Sequence, residues 1–346
     1  MNAIILAGGE GTRLKSVTGD LPKPMALLAG KPVLEHILAL LRRCGVEKVC
    51  MSLHYRPEVI SEYFGDGSRF GISIEYHVEE ASLGTAGGTK ACAGFYGDRD
   101  FLVISGDSAC DFDLRQLMEA HRRHRPAVTM ALYANPSPLQ YGNVLTDSRG
   151  RVVSFTEKPE WARVVSDLIN TGIYIVSPKA MELVPEAAVF DFSRDLFPQL
   201  MECGMEIRAL PMDGYWCDIG TPRAYHQCNL DALDGRLDVE LPNMPMHSAS
   251  PTARPHFSGA RRELGCAGRA RAMRYISQSL MEAGADFSDG VSLHTASGEV
   301  HICPSTERES IIISAEAGSP EKSMQLAEKY EQLVKNAGYA ARDAFS

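Results

Sequence analysis

Cysteine pairing motifs are missing from this chain. Its nine cysteines, at 44, 50, 92, 110, 203, 217, 228, 266 and 303, include no Cys-x-x-Cys, which removes the zinc-knuckle and disulfide-framework readings. They read instead as small buried apolar residues. No apolar stretch approaches the roughly 18 residues of a membrane span, and no basic segment precedes Ile4-Ile5-Leu6-Ala7, so no membrane partner is expected and the expected location is cytoplasmic. Positive charge is in deficit: 35 Lys plus Arg face 44 Asp plus Glu, a net charge of -9, which argues against a nucleic-acid partner. Any anionic ligand must then be met by a local basic site. Two phosphate-binding signatures are also absent. Without Gly-x-Gly-x-x-Gly or Gly-x-x-x-x-Gly-Lys-Ser/Thr, hydride transfer and P-loop chemistry lose their main support.

What is present is ordinary globular material, 45% hydrophobic and 23% charged over 346 residues, enough for one large domain and a smaller one. Strand-like and helix-like segments alternate up to about residue 235, which predicts an α/β domain with a mixed, mostly parallel sheet. Asn2 to Leu6, Lys48 to Leu53 and Phe101 to Ser105 are short apolar runs bounded by turns, as buried strands are. Between the first two, Val33, Leu34, Ile37, Leu38 and Leu41 recur at helical spacing after Pro32 and stop at Gly45, predicting a crossover helix. Val128 to Met212 is richer in strands, and a helical pattern is expected over Trp216 to Leu233. Leu241 to Phe257 carries four prolines and reads as a linker. The expected division is 1–238, a linker at 239–267, and a small α+β domain at 268–346. That domain should hold a helix from Ala270 to Glu282, strands at Val291 to His294, Val300 to Pro304 and Ile311 to Ala315, and a last helix N-capped by Ser319.

The strongest chemical signal is the loop Leu6-Ala7-Gly8-Gly9-Glu10-Gly11-Thr12-Arg13-Leu14, set directly after a strand and followed by Pro22-Lys23-Pro24. Glycines let backbone N–H groups approach phosphate oxygens, Thr12 adds a hydroxyl, and Arg13 and Lys23 supply positive charge suited to a triphosphate. Asp107 follows a buried strand, where strand ends open onto ligand crevices, and Asp218 lies in a second strand-to-helix turn. Two such carboxylates, if brought together, could hold Mg²⁺ against a phosphate. His121 and His124, in His-Arg-Arg-His-Arg, read as a solvated helix end rather than a metal site.

The first loop resembles the signature of the sugar-1-phosphate nucleotidyltransferases, and further matches follow in order. They are Leu83-Gly84-Thr85-Ala86-Gly87, Ser105-Gly106-Asp107, Tyr141-Gly142-Asn143-Val144, Phe155-Thr156-Glu157-Lys158-Pro159, Asn170-Thr171-Gly172 and Trp216-Cys217-Asp218-Ile219-Gly220. Lys31 to His36 and Asp191-Phe192-Ser193-Arg194-Asp195-Leu196-Phe197-Pro198 carry a narrower similarity to the mannose-1-phosphate guanylyltransferase portion of bacterial fusions with a phosphomannomutase-like region. The resemblance implies a Rossmann-like, GT-A-like nucleotidyltransferase domain that takes a nucleoside triphosphate and a sugar 1-phosphate.

Implied site residues follow the motifs. Leu6, Ala7, Gly8, Gly9, Gly11 and Thr12, with Gly84 and Thr85, would bind nucleotide; Arg13 and Lys23 would act on the triphosphate. Asp107 and Asp218 would hold Mg²⁺, and Gly142, Glu157, Lys158 and Asn170 would bind the sugar phosphate. The implied reaction joins GTP and mannose 1-phosphate, with other sugar and base pairs as alternatives (glucose 1-phosphate with UTP or dTTP, heptose 1-phosphate with GTP) and a non-catalytic nucleotide-sugar-binding regulatory subunit beyond them. Homo-oligomerisation is left open. From Gly268 onward the chain resembles the C-terminal domain of phosphohexomutases. It carries Pro304-Ser305-Thr306-Glu307 without the glycine of that family's phosphate loop, which weakens phosphate binding there, and with neither a Ser-His-Asn-Pro nor an Asp-Gly-Asp-x-Asp loop mutase activity is not expected.

Overall fold

The computed structural model describes residues 1–135, 137–239, 259–266, 268–287, 290–305 and 308–343. It divides into two compact units: Met1–Tyr133, Thr146–Val152 and Asn170–Pro245 form the first; Ala134–Leu145, Val153–Ile169 and Met246–Ser346 form the second.

The first unit is an α/β body with the expected mixed, mostly parallel sheet. Ala3–Leu6 is central, parallel to Lys48–Leu53 on one side and to Phe101–Ser105 on the other, with Ser73–Val78 parallel beyond Lys48–Leu53. Leu168–Val176 closes onto Phe101–Ser105 antiparallel, and the parallel pair Val128–Ala134 and Ile207–Pro211 follows. Ala3, Ile4, Ile5, Phe101, Leu102 and Val103 are all fully buried, which explains runs that are apolar throughout rather than alternating. The helix Val33–Arg43 buries Val33, Leu34, Ile37, Leu38 and Leu41 on one face. Pro32 stands at its N-cap.

Trp216 to Leu233 is not one helix. Trp216–Asp218 is a strand, antiparallel to Ser108–Cys110, and the helix is Pro222–Leu233 with the Thr221 hydroxyl accepting from Ala224 N–H at 3.2 Å. The β-branched and proline-led turn between Asp218 and Pro222 interrupts a pattern that spacing alone had joined.

The second unit centres on an antiparallel sheet of Ala260–Gly265, Ser310–Glu316, Gly298–Pro304 and Val291–Thr295, with helices Arg269–Leu280 and Pro320–Asp343. Val300, Ile302 and Pro304 alternate with more exposed neighbours, as a one-sided sheet requires. Ser319 accepts from Lys322 N–H at 3.3 Å, the expected cap of the last helix.

Two features differ from a contiguous division. Ala260–Gly265, expected within the linker, is a sheet strand, while most of that linker lies outside the described residues. Val153–Ile169 also belongs to the second unit: Trp161 and Val164, both essentially inaccessible, share a core with Met273, Ile276, Ile302 and Ile313. The Asp167 carboxylate accepts from Ala270 N–H at 3.0 Å at the start of Arg269–Leu280. Burial raises the Asp167 pKa, and that backbone donor with Arg269 and Arg271 offsets part of the rise. Sequence adjacency hid this, because the partners lie about a hundred positions away.

Trp161→Ala should therefore destabilise the second unit by about 3–5 kcal/mol, the usual cost of removing a buried aromatic. Amide exchange should accelerate in Val291–Glu316 more than in Ala3–Leu6. Equal acceleration in both would remove Trp161 from that core.

Candidate functional site

The site is built where the central strand stops. Three parallel strands end on the same edge of the sheet, and the chain leaves Leu6 through glycines rather than entering a helix at once. Leu6 is pinned there: Gly106 N–H donates to its carbonyl at 2.8 Å, and Ala7 N–H donates to the Ser52 carbonyl at 2.9 Å. The loop glycines do different things. A Cβ on Gly8 would lie 3.3 Å from His54, so this residue serves packing, whereas Gly9 faces open space. Gly11 has φ +65°, and a Cβ there would come within 2.7 Å of Lys23 Cβ. Its bareness lets Lys23 close beneath the loop.

Lys23 is the pivot. It is only 7% exposed, and its Nζ donates to Asp107 Oδ2 at 2.8 Å and to Asp218 Oδ1 at 2.6 Å. The two carboxylates meet because Ser108–Cys110 pairs with Trp216–Asp218 so that Ser108 stands opposite Asp218. Ser105, not singled out in the sequence, donates its hydroxyl to Asp107 Oδ1 at 2.7 Å. Burial would push the Lys23 pKa down, but the two carboxylates outweigh it and hold it above the ordinary lysine value. For Asp107 burial pulls upward, and the Lys23 charge with the Lys23 and Ser105 hydrogen bonds holds it below the ordinary aspartate value.

Above this cluster lies a cavity of about 250 Å³ lined by the loop residues Leu6, Ala7, Gly9, Gly11 and Thr12, by Arg13, Lys23, Pro24 and Asp107, and by Gly220. Arg13 is exposed, and its Nη2 would lie 3.1 Å from a Cβ on Gly220. Gly220 thus leaves room for the guanidinium, and its place two residues after Asp218 was the available sequence signal. Among the described residues no group of three or more His, Cys, Asp or Glu could hold a metal. Two carboxylates converging on one ammonium nitrogen do fit an oxygen-ligated divalent cation whose remaining ligands are phosphate oxygens and water.

Gly84 and Thr85 do not line this cavity. Gly84 has φ +73° and opens the helix Gly84–Ala91; a Cβ there would be 2.8 Å from the Phe190 carbonyl oxygen. Thr85 donates both its N–H (3.1 Å) and its hydroxyl (3.0 Å) to Asp191 Oδ1.

Residues 2–235 match the family model described as nucleotidyl transferase. The chain belongs to that family. A UTP–glucose-1-phosphate uridylyltransferase of Synechocystis sp. is 37% identical over 257 residues, covering 70% of this chain and 65% of the relative. A mannose-1-phosphate guanylyltransferase of Mycobacterium tuberculosis is 37% identical over 236 residues, covering 68% and 65%. The match thus spans just under two thirds of these relatives' length. The crystal structure of Yersinia pseudotuberculosis HddC complexed with GMP-PN superposes with a TM-score of 0.58 at 31% identity, over 67% of this chain and 99% of that one.

The other predicted residues are not among those that line this cavity. In the first unit Asn170 is 9% exposed; its Nδ2 donates to Tyr174 Oη at 2.8 Å and Ser193 Oγ at 3.3 Å, and its Oδ1 accepts from Gly172 N–H at 3.1 Å. In the second unit Glu157 ends the strand Val152–Glu157, and Lys158 adopts φ +45° with its N–H on the Tyr141 carbonyl at 3.1 Å. A Cβ on Gly142 would lie 2.6 Å from the Phe155 ring and 3.0 Å from Glu157 Oε2, so that glycine admits both side chains.

His121 is corrected. Rather than forming a solvated helix end, it is buried, with Nδ1 2.8 Å from Thr129 Oγ1 and Nε2 3.4 Å from Asp100. Burial lowers its pKa. Only His124 is exposed, because His121 falls on the apolar face of Leu114–His124. The cysteines are mixed: six are buried, Cys203 is exposed, and Cys217 and Cys303 are intermediate.

Two outcomes follow from the Lys23 cluster. Gly11→Ala should cost about 1–2 kcal/mol from its left-handed backbone, visible in urea unfolding, with a further loss of nucleotide binding as Lys23 is displaced. Asp107, lowered in the fold, contributes stability present above about pH 4 and lost as pH falls through its folded value; Lys23, raised, contributes stability present below about pH 10 and lost as pH rises through its own. The stability gap between wild type and Lys23→Met should be flat through neutral pH and shrink at both extremes. A gap that changes steadily between pH 6 and 8 would contradict the pairing.

Proposed function

We propose that the chain catalyses nucleotidyl transfer from GTP to mannose 1-phosphate, releasing pyrophosphate and GDP-mannose. The observation that carries the transfer reading is the convergence of Lys23 on Asp107 and Asp218 beneath the glycine loop, with Arg13 at its rim. A phosphate oxygen of the sugar phosphate attacks the α-phosphorus; the bond from that phosphorus to the bridging oxygen breaks, and pyrophosphate leaves with the electron pair. No covalent enzyme intermediate is needed, so catalysis lies in positioning and charge stabilisation.

Backbone N–H groups of the loop, with Thr12, would receive the phosphates, and Arg13 and Lys23 would neutralise the triphosphate and the leaving group. Gly84 and Thr85 would border base and ribose. Gly142, Glu157, Lys158 and Asn170 would meet the sugar phosphate. Asp107 and Asp218 are the residues that would hold Mg²⁺. When bound, that ion supplies positive charge against the reacting phosphates.

Sugar and base choice rests on the relatives. A mannose-1-phosphate guanylyltransferase stands among them, as does the mannose-1-phosphate guanyltransferase of Candida albicans at 33% identity, and HddC was crystallised in complex with GMP-PN. The Synechocystis relative favours a second reading, UTP with glucose 1-phosphate, by the same mechanism. No helix among the described residues is long and apolar enough to cross a membrane.

The test is Mg²⁺-dependent pyrophosphate release over four nucleoside triphosphates paired with mannose, glucose and heptose 1-phosphates. Selective release with GTP and mannose 1-phosphate is expected; selectivity for another pair would keep the mechanism and change the substrates. Asp107→Asn should reduce turnover at least about 100-fold, as loss of a key electrostatic group does, measured well below its unfolding midpoint, which should itself fall because buried Lys23 loses one of its two carboxylates. Near-normal turnover in that variant would remove Asp107 from the metal role.

A further inference from the structure

The motif Asp191 to Pro198 has no part in the chemistry above, yet it is bound to the loop that begins Gly84–Ala91. The first N–H groups of a helix lack partners within the helix. Here they are met from Phe190 and Asp191: Ala86 and Gly87 N–H donate to the Phe190 carbonyl, both at 2.9 Å, and Thr85 N–H donates to Asp191 Oδ1. The Thr85 hydroxyl donates to the same Oδ1 and accepts from Phe192 N–H at 3.0 Å. In return Phe190 N–H donates to the Leu83 carbonyl at 2.8 Å.

The segment making these contacts is itself held by hydrogen bonds and ring packing. Asp191 N–H donates to Asp195 Oδ2 at 2.7 Å, Phe192–Leu196 is a π-helical turn, and the Phe192 ring is buried 5.1 Å from Tyr174 and 5.8 Å from Phe197. Ser193 receives the Asn170 amide. A negative side chain therefore occupies this helix N-terminus, which would otherwise attract phosphate. The phosphates are left to the Gly8–Gly11 loop.

We infer that Asp191 is a positioning residue for nucleotide binding: by fixing Thr85 and the turn at Gly84 it sets the wall against which base and ribose rest, without touching the reacting atoms. This rests on the assignment of Gly84 and Thr85 to the nucleotide side.

The experiment compares full-length wild type, Asp191→Ala and Asp191→Asn with whichever substrate pair the wild type turns over, so its reading survives a change of sugar or base. Asp191→Ala should raise KM for the nucleoside triphosphate about tenfold, the size of one lost charge-assisted hydrogen bond. Its kcat and its KM for the sugar phosphate should stay within about twofold of wild type. Asp191→Asn keeps an acceptor oxygen for Thr85 and should recover part of that KM. Calorimetric titration with the triphosphate alone should show the same order of affinities.

If both variants lower the unfolding temperature but leave triphosphate KM and affinity at wild-type values, Asp191 is only a helix cap and the inference fails. It fails equally if kcat and both KM values move together. A wild type that binds triphosphate but turns over no pair would defeat the catalytic reading alone, and the titration would still decide on Asp191. A wild type that binds no nucleoside triphosphate would overturn both.

Discussion

One desolvated ammonium group holds the glycine-loop side of the first unit together. Lys23 approaches from a 3-10 turn after the glycine loop, Asp107 from the end of a buried strand, and Asp218 from a strand contributed much later in the chain. Burying a lysine is costly unless its charge is met, and here two carboxylates meet it at hydrogen-bonding distance. The requirement is reciprocal: two converging carboxylates repel each other, and the ammonium between them offsets that repulsion. The glycine at 11, the pairing of Ser108–Cys110 with Trp216–Asp218, and the Ser105 hydroxyl all serve to bring three charges to one point.

The same first unit manages two helix or turn termini in opposite ways. After Leu6 the chain offers bare backbone to an anion, with Gly9 facing open space and Arg13 nearby. At Gly84 the helix start is already capped by Phe190 and Asp191. Placing an aspartate on one terminus and leaving the other open sorts negative charge between them without any difference in backbone chemistry. Glycines at both places are needed for close approach, but what approaches differs: a lysine stem in one case, a backbone carbonyl in the other.

The second unit gains its core by drafting residues from the middle of the sequence. Its four-stranded sheet and two helices are joined by Trp161 and Val164, and Asp167 accepts from the first turn of Arg269–Leu280. Arg269 in turn donates to the carbonyls of Ser305 (2.8 Å) and Arg308 (2.7 Å). An arginine that spends its donors on carbonyls ties these two positions to the start of the helix.

Much of this was written in local sequence. Apolar runs such as Ile4-Ile5-Leu6 and Phe101 to Ile104 specify buried strands because a strand covered on both faces has no polar side to show. Alternation at Val300, Ile302 and Pro304 specifies the one-sided sheet, and Ser319 its last helix. The glycine loop with Arg13 and Lys23, and the carboxylates at strand ends, were legible because glycine and charge in that order have few other uses. Sequence could not decide that Lys23 would stand between Asp107 and Asp218, that His121 would turn inward to Thr129, that Asp191 would cap Thr85, or that Val153–Ile169 would join the C-terminal unit. Each of these depends on segments far apart in the chain meeting in one register. Residue type fixes what a side chain can bond to, and only the packed sheet fixes which partner arrives.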